Sequence, residues 1–391
     1  MPTIRPFAGL LYDQTVAGPI DRVSAPPYDT ISPIDQERYH RASPYNVVRL
    51  ILGTEEPGDD GSENKYTRAA SYLQQWRSAS VLRPTNGPAL FPYEVRFHHG
   101  GRERSVRGLI AEVELEPWGG SILPHERTMP GPIEDRLKLL RAVRANLSPV
   151  YGVFGGPSAA VSELIEDATT GQPDRELTDE NGTLHRLWVA QGEFAGVTEA
   201  LQQEQLLIAD GHHRYTVALA YRDEMRARHG SGPWDAMMML IVDGATEAPP
   251  VLPIHRVASG GALPQPDAPR VRDLSEVLAS LDDDELTHGL VTLEDGEAVH
   301  RVGVLKGSPP TVCQLHEQVL DPSPDLSLRF VPDAVAAEQA VLSGAASAAF
   351  LLPPTRVDRV RGVIERGDRL PQKSTYFWPK PRTGLVIRPF D

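Results

Sequence analysis

The sequence predicts a mixed α+β protein in which antiparallel hairpins alternate with helices. Two turn-like stretches, 99–102 and Asn181-Gly182, each separate strand-like runs, which is the pattern of a β-hairpin. Apolar residues also recur at helical spacing in several other segments. Strands and helices do not follow one another as a regular strand–helix–strand series, so mixed sheets are expected rather than a purely parallel one.

In the first third of the chain, the apolar run at 46–52 is of the β type and is predicted as a strand. Apolar residues recur at helical spacing over 64–79, which predicts an amphipathic helix. The segments 89–98 and 104–115 are the two strands of the first predicted hairpin.

In the middle of the chain, the segment 132–146 is predicted as a helix, since Pro132 suits a first helical turn. A short apolar strand is predicted at 205–209, followed by a helix over 215–228. The segment 234–242 is apolar throughout and predicts a buried strand.

A stretch rich in glycine and proline at 258–270 is typical of a linker and marks a domain boundary. Beyond it, short strands alternate with helices, which are predicted at 333–343 and 357–366. The last third of the chain is therefore expected to form a smaller α+β domain.

Composition and charge exclude several classes of function. The 391 residues include 39 Lys and Arg against 53 Asp and Glu, which gives a formal net charge of −14. Duplex nucleic acids and anionic membranes both require a basic face, so neither is an expected partner. The single cysteine, Cys313, excludes an internal disulfide, and no Cys/His zinc set is present. The sequence shows neither a transmembrane span nor a signal peptide, and a cytoplasmic protein is expected.

The most informative motif is Asp210-Gly211-His212-His213-Arg214, which lies between an apolar strand and a helix. The N-terminus of a helix favours an anion, so cationic side chains there point to a bound phosphate or carboxylate. Asp210 would orient a histidine or cap the helix. The alternatives are an N-cap Asp with a hydrogen-bonded histidine pair at an interdomain surface, or a metal site, which would need a further ligand.

A second motif, Pro124-His125-Glu126-Arg127-Thr128, also precedes a helix. A carboxylate beside a histidine and an arginine is a candidate general base or a ligand of a metal–phosphate complex. Arg127 and Thr128 could hold a phosphate oxygen. A plain ion-paired turn in which Thr128 caps the helix is the alternative.

Two weaker signals complete the set of candidates. Lys373-Ser374-Thr375 resembles a phosphate-contacting set, although it lacks the glycine spacing of a P-loop, and an edge strand with an aromatic cluster is the alternative. Tyr28 and Asp29, and likewise His255 and Arg256, are candidate walls of a substrate pocket or structural residues.

Four motifs occur in a fixed order along nearly the whole chain: Pro26-Pro27-Tyr28-Asp29, Pro124–Thr128, Ala209–Arg214 and Pro371–Phe377. Together they resemble the prokaryotic family known as domain of unknown function 1015, which carries no assigned reaction. The Asp-Gly-His-His-Arg turn is also similar to the signature of the ParB/sulfiredoxin-like superfamily. The most similar pattern there is the free-serine kinase branch, which has an upstream Pro-His-Glu motif.

This wider resemblance implies a ParB/sulfiredoxin-like nucleotide-binding core at 121–257 with an insertion near 151–200. Residues 1–120 would then be an N-terminal α+β portion packed on the core. The linker at 258–270 separates a C-terminal α+β domain at 271–391. The sequence departs from the compact serine kinases because His125 and Asp210 are 85 positions apart (210 − 125), which the insertion would explain.

The resemblance also implies site residues. In the serine kinases a glutamate deprotonates the substrate hydroxyl, and Glu126 matches it here. By the matching motifs, Asp210, His212, His213 and Arg214 would hold phosphates, metal or substrate. The Arg127–Thr128 extension and the Lys373 motif have no assignable counterpart in the serine kinases and remain candidates on the residues alone. Taken together, the catalytic candidates are Glu126, His125, Asp210 and His213. The phosphate or nucleotide candidates are Gly211, His212, Arg214, Arg127, Thr128, Lys373 and Ser374, and the substrate-pocket candidates are Tyr28, Asp29, His255 and Arg256.

The function implied is phosphoryl transfer from ATP or ADP to a small hydroxylated amino acid or related metabolite. Mg²⁺ would be held through the phosphates, with Asp210 or Glu126 as further candidate ligands. A phosphatase or nucleotide hydrolase using the same pocket, and a non-catalytic nucleotide sensor, are the alternatives. The expected partners are the nucleotide and the acceptor, with no nucleic acid and no membrane, and a homodimer is left open.

Overall fold

The structure is a computed structural model, and it describes residues 3–127, 130–155, 158–192, 194–202, 204–245, 248–261 and 268–391. The chain forms two units, each built from separate segments. Unit 1 consists of Met1–Leu123, Thr128–Pro249 and Pro379–Asp391, and unit 2 consists of Pro124–Arg127 and Pro250–Trp378.

The strands are Ile4–Arg5 (β1), Leu10–Tyr12 (β2), Leu82–Pro84 (β3), Phe91–His99 (β4), Arg102–Glu114 (β5), Ile122–Leu123 (β6), Ala145–Asn146 (β7), Val150–Phe154 (β8), Arg175–Thr178 (β9), Leu184–Leu187 (β10), Leu206–Asp210 (β11), Ala236–Asp243 (β12), Val251–Leu252 (β13), His255–Ser259 (β14), Arg270–Val271 (β15), Thr287–Glu294 (β16), Glu297–Val304 (β17), Ser327–Val331 (β18), Ala348–Leu351 (β19), Tyr376–Phe377 (β20) and Arg388–Pro389 (β21).

The α-helices are Gln14–Ala17 (α1), Ile20–Val23 (α2), Pro33–Ala42 (α3), Val48–Ile51 (α4), Lys65–Ser78 (α5), Pro130–Val143 (α6), Ala159–Thr169 (α7), Ala195–Gln202 (α8), His212–His229 (α9), Leu274–Ala279 (α10), Thr311–Leu315 (α11), Ala334–Leu342 (α12) and Val357–Glu365 (α13).

The main sheet of unit 1 is mixed. Its strand order is β6-β11-β8-β12-β5-β4-β10-β9, and β1 also pairs with β5. The pairs β6–β11 and β8–β12 are parallel, while the other neighbours are antiparallel. Every residue of β12 is buried, in agreement with its apolar run from Ala236 to Val242. Apolar residues of α7, α8 and α9 pack with those of the sheet into one core.

Unit 2 contains an antiparallel six-stranded sheet with the order β15-β17-β16-β19-β14-β18. Its core joins apolar residues of β14, β16 and β19 to Val277 of α10 and to Ala337 and Val341 of α12. The mixed α+β class and the mixed sheets predicted from the sequence are confirmed. The three-part division of the chain stays a prediction, because contacts do not test which portion is an elaboration of a core.

Most of the predicted elements are present. The two hairpins are β4–β5 and β9–β10, and both glycines of the first turn have positive φ, +60° at Gly100 and +74° at Gly101. The helix predicted over 64–79 is α5, which begins with a capping box between Asn64 and Thr67. The predicted strands at 205–209 and 234–242 are β11 and β12.

One prediction is wrong: the run 46–52 contains the helical turn α4 instead of a strand. The Asn46 side chain starts this turn by accepting a hydrogen bond from the Val48 amide at 2.9 Å, and it also donates to the carbonyl oxygens of Arg22 and Ser24. Val48, Leu50 and Ile51 are all buried. A short run that is buried all round has no periodicity to separate a strand from a helical turn.

Candidate functional site

The first candidate site, in unit 1, is the corner between β11 and α9. The strand ends at Asp210, Gly211 turns the chain with φ +98°, and α9 begins at His212. Only glycine adopts this left-handed conformation without strain, and a Cβ atom here would lie 3.0 Å from the Arg214 guanidinium. The turn therefore requires Gly211, and α9 begins three residues earlier than the sequence predicted.

Asp210 forms two ion pairs at this corner. Its Oδ2 accepts from Nη2 of Arg214 at 2.6 Å, and its Oδ1 lies 2.5 Å from Nζ of Lys380. Arg214 also donates to the carbonyl oxygen of Pro149. Asp210 does not cap α9, because the N-cap residue is Gly211 and no side chain accepts there. The Asp210 carboxylate is thus a counter-ion for two cations.

Lys380 is a site residue that the sequence reasoning missed. Its side chain is only 8% exposed, and Nζ lies 3.3 Å from Oδ2 of Asp29 as well as close to Asp210. Residues of the Pro-Pro-Tyr-Asp motif and of the Asp-Gly-His-His-Arg motif therefore meet at one ammonium group. The scarcity of lysine was the available signal, since the chain has only five lysines and Lys380 lies beside the last motif.

The two histidines occupy the first turn of α9. His212 is buried and stacks on Trp118, with 6.4 Å between the ring centroids, while His213 is half-buried. The first turn contains no acidic residue. Tyr151, which pairs with Asp210 across β8 and β11, is buried, and its hydroxyl makes no hydrogen bond to the described residues. Burial raises the pKa of Tyr151, and the charges of Tyr93 and Asp210 raise it further.

A cavity of about 70 Å³ adjoins this corner between α6 and α9. Its polar lining includes Tyr28, Arg136 and Arg214, and the guanidinium carbon of Arg136 lies 4.2 Å from the centroid of the Tyr28 ring. Apolar side chains of both helices complete the wall, among them Leu139 and Val217. The cavity thus combines an apolar wall with a few polar groups, the composition typical of a small-molecule site.

The second candidate site, in unit 2, is centred on Glu126. Its Oε1 accepts from the amides of Ser374 and Thr375 at 3.0 and 2.8 Å and from the Thr375 hydroxyl at 2.8 Å. Its Oε2 accepts from the Lys373 amide at 3.0 Å. Four hydrogen-bond donors therefore converge on one carboxylate, whose oxygens act as the acceptors.

Arg256 binds the same loop through the backbone carbonyl groups of the loop. Its guanidinium is completely buried and donates to the carbonyl oxygens of Gln372 at 3.3 Å and Lys373 at 2.9 Å, and to that of Ile254. Burial lowers the pKa of Arg256 to about 10, while the negative charge of Glu126 acts in the opposite direction. Arg256 is thus part of the framework around Glu126, and its role as a pocket wall stays a prediction.

Three other candidate site residues, His125, His255 and Ser374, make hydrogen bonds within unit 2. Nε2 of His125 lies 2.6 Å from the Thr375 hydroxyl, and Nδ1 of His255 accepts from the Leu352 amide at 3.1 Å. Burial lowers the pKa of His255 to about 4. The Ser374 hydroxyl donates to the carbonyl oxygen of Pro371 at 2.6 Å.

Arg127 is exposed, and its amide donates to the carbonyl oxygen of Leu370 at 3.3 Å. Thr128, the last residue of the second motif, lies outside the described residues. The structure thus brings together Asp29, Asp210 and Arg214 in unit 1. In unit 2 it brings together residues that the sequence had placed in separate motifs: His125, Glu126, Arg256, Lys373 and Ser374.

The residues do not form a metal site. Across the described ranges, no three His, Cys, Asp or Glu side chains cluster so as to hold a metal ion. The two candidate Mg²⁺ ligands, Asp210 and Glu126, direct their oxygens at protein donors.

A family model described as "Protein of unknown function (DUF1015)" matches residues 4–307 of the chain. No curated protein matches its sequence. In the described part of the chain, no helix is both long and apolar enough to cross a membrane.

Several solved structures are similar to this one at low identity. A conserved hypothetical protein from Pyrococcus furiosus is 14% identical, with a TM-score of 0.39, and the match covers 71% of this chain and 94% of that one. Free serine kinase in complex with AMP is 14% identical, with a TM-score of 0.39 and coverage of 68% and 86%. SbnI with a C-terminal truncation from Staphylococcus aureus is 10% identical, with a TM-score of 0.35 and coverage of 68% and 84%.

Proposed function

The chain belongs to the family of unknown function DUF1015, and on that premise we propose that it is a nucleotide-dependent phosphotransferase with a ParB/sulfiredoxin-like core. Its acceptor is a small hydroxylated amino acid or a related metabolite. The donor is ATP or ADP.

The observation that carries the proposal is the corner between β11 and α9. An 18-residue helix begins there on a glycine, without a side-chain cap and without an acidic residue in its first turn. Its first amides and the positive end of its dipole favour an anion. His212, His213 and Arg214 lie in the same turn, and the ammonium of Lys380 lies beside it at Asp210. This combination supports the binding of nucleotide phosphates.

Each of these groups has a distinct task in the proposed reaction. The amides of the first turn of α9 contact the phosphate oxygens, and His213 neutralises charge on the transferred group. Asp210 keeps Arg214 and Lys380 in position, because both cations pair with its carboxylate. The cavity between α6 and α9 takes the compact body of the acceptor, with Tyr28 in its wall.

Glu126 is proposed as the general base. It takes the proton of the acceptor hydroxyl while the hydroxyl oxygen bonds to the terminal phosphorus of the nucleotide. The bond from that phosphorus to the bridging oxygen breaks, and the shortened nucleotide leaves. His125 acts on Glu126 through Thr375, since the imidazole and the carboxylate share the Thr375 hydroxyl. Arg127 and Lys373 are candidates for a further phosphate or for the substrate carboxylate.

The proposal is tested by ³¹P NMR of the purified protein with Mg²⁺ and either ATP or ADP. L-serine and other hydroxy-amino acids are added one at a time. A phosphomonoester that forms with one acceptor supports the phosphotransferase and identifies its substrate. Inorganic phosphate that forms at the same rate without acceptor supports a hydrolase, and nucleotide binding without turnover across the panel supports a sensor.

The Glu126→Gln variant tests the assignment of the base in the same assay. We expect a loss of turnover of at least a hundredfold, because proton transfer by a positioned side chain contributes about 10²–10⁴-fold. Nucleotide binding should not weaken by more than about twofold relative to the unaltered chain. Turnover at the unaltered rate would overturn the role of Glu126.

A further inference from the structure

Three consecutive backbone amides in unit 2 point at one carboxylate. The amides of Lys373, Ser374 and Thr375 lie 3.0, 3.0 and 2.8 Å from the oxygens of Glu126. Successive amides that converge in this way form a nest, a concavity that binds anions in many proteins. The Glu126 carboxylate occupies this nest, together with the Thr375 hydroxyl at 2.8 Å.

The nest is built by groups other than Glu126. Lys373 has φ +54°, a left-handed conformation that is uncommon for a side-chain-bearing residue. Arg256 fixes the same turn from the other side, through the carbonyl oxygens of Gln372 and Lys373. Because this guanidinium is completely buried and bonded to the backbone, we expect the turn to keep its shape when the carboxylate leaves.

The occupant of the nest is a side chain that is mostly, but not completely, buried. The Glu126 side chain is 11% exposed, whereas that of His125 beside it is completely buried. The positive charge of Arg256 acts on the Glu126 carboxylate in the nest and would act in the same direction on another anion there. A ligand carboxylate or phosphate presents the same acceptor oxygens as Glu126, so an exchange conserves the hydrogen bonds of all four donors.

We propose that the nest of Lys373, Ser374 and Thr375 binds a carboxylate or phosphate group of a ligand, and that Glu126 holds this place until the ligand enters. Entry of the anion releases the Glu126 carboxylate from its four donors. The released carboxylate is then able to accept a proton, a consequence that rests on the proposed function. The exchange would restrict the base to the liganded protein and so limit loss of phosphate to water.

Amide NMR of the full-length chain tests the exchange without any measurement of turnover. The backbone amide resonances of Lys373–Thr375 are followed while inorganic phosphate or acetate is added at constant ionic strength. We expect these resonances to move in the unaltered chain. In Glu126→Ala the anion concentration at the midpoint of the titration should fall at least tenfold, because the competing carboxylate is gone. Glu134→Ala, which removes an exposed carboxylate of α6, is the control and should keep the unaltered midpoint.

The two probes separate the two sources of the anion. A response to acetate alone assigns the nest to a carboxylate, and a response to phosphate alone assigns it to a phosphoryl group. Glu126→Gln keeps the shape of the side chain and should also lower the midpoint, which covers the case in which Glu126→Ala does not fold. Resonances that respond to neither anion in either variant, or midpoints equal to that of the unaltered chain, would overturn the proposal.

Discussion

The ammonium group of Lys380 lies 2.5 Å from the carboxylate of Asp210, the residue that ends β11. The pair joins the C-terminal segment of unit 1 to the turn that starts α9. Both side chains are largely shielded from solvent, so the pair fixes the position of two charges at the proposed phosphate site.

Lys380→Met should destabilise the protein and weaken nucleotide binding. The substitution leaves Asp29 without this cation and Asp210 with Arg214 as its remaining ion-pair partner among the described contacts. Removal of one partner of a buried ion pair costs about 3 kcal/mol of unfolding free energy. Urea unfolding measures this loss of unfolding free energy. Lys138→Met, which removes a half-exposed ion pair with Glu134, should cost far less, and equal losses would contradict the account.

Gly211→Ala should distort the corner between β11 and α9. The position has φ +98°, and the added methyl group would lie 3.0 Å from the Arg214 guanidinium. We expect a loss of about 1–2 kcal/mol of unfolding free energy and a fall in ADP affinity of at least tenfold. Gly196→Ala in α8 has open space and an ordinary φ, so the control should be neutral or slightly stabilising. Unchanged ADP affinity in Gly211→Ala would show that the corner does not bind the nucleotide.

Arg256→Met should damage unit 2 more than the loss of a surface charge would. The carbonyl oxygens of Ile254, Gln372 and Lys373 would lose a buried donor. Unsatisfied buried groups of this kind cost about 3 kcal/mol in total. Arg329→Met, on an exposed position of β18, is the matched control and should change the unfolding free energy by about 0.5 kcal/mol or less. Chemical denaturation of both variants measures the two changes in unfolding free energy, and equal changes would contradict the role of Arg256.

Unit 2 should lose stability as the pH falls from about 6.5 to 4. Burial lowers the pKa of His255, His288 and His316 to about 4, from an ordinary value of 6.5. In this window the unfolded chain binds protons that the folded chain does not, so acid favours unfolding, and above pH 7 the effect vanishes. Each histidine contributes a slope of at most about 1.4 kcal/mol per pH unit.

The variant His288→Leu isolates one of these contributions. The slope of unfolding free energy against pH should fall by about 1.4 kcal/mol per pH unit near pH 5. Any constant loss of stability caused by the substitution leaves the slope unaffected. Denaturation series at several pH values between 4 and 8 give the slope, and an unchanged slope would contradict the burial of a neutral imidazole at this position.

The sequence predicted those parts of the fold that depend on neighbouring residues. The hairpin at Gly100-Gly101, the helix α5 and the glycine turn after β11 all carry local signals in the sequence. These are a glycine pair between two strand-like runs, apolar residues at helical spacing, and a glycine between a strand and a helix. The run at 46–52 was predicted wrongly because the hydrogen bond from the Val48 amide to Asn46 decides its conformation, and apolar content alone does not reveal it.

The sites were predictable only as separate motifs. Glu126 and Ser374 are 248 positions apart, yet the Ser374 amide donates to the Glu126 carboxylate. The same holds for Lys380, whose partner Asp29 is 351 positions away. Long-range pairs of this kind leave no periodic pattern in a single sequence, so the residue types were identified but their partners were not.

The central claim is that the start of α9 binds the phosphates of a nucleotide. Isothermal titration of the unaltered chain with ADP and with adenosine, in the same buffer with Mg²⁺, tests it most directly. The two ligands share base and ribose and differ in the diphosphate. We predict that ADP binds at least tenfold more tightly than adenosine. Equal affinity for the two ligands, or no binding of ADP, would contradict the account.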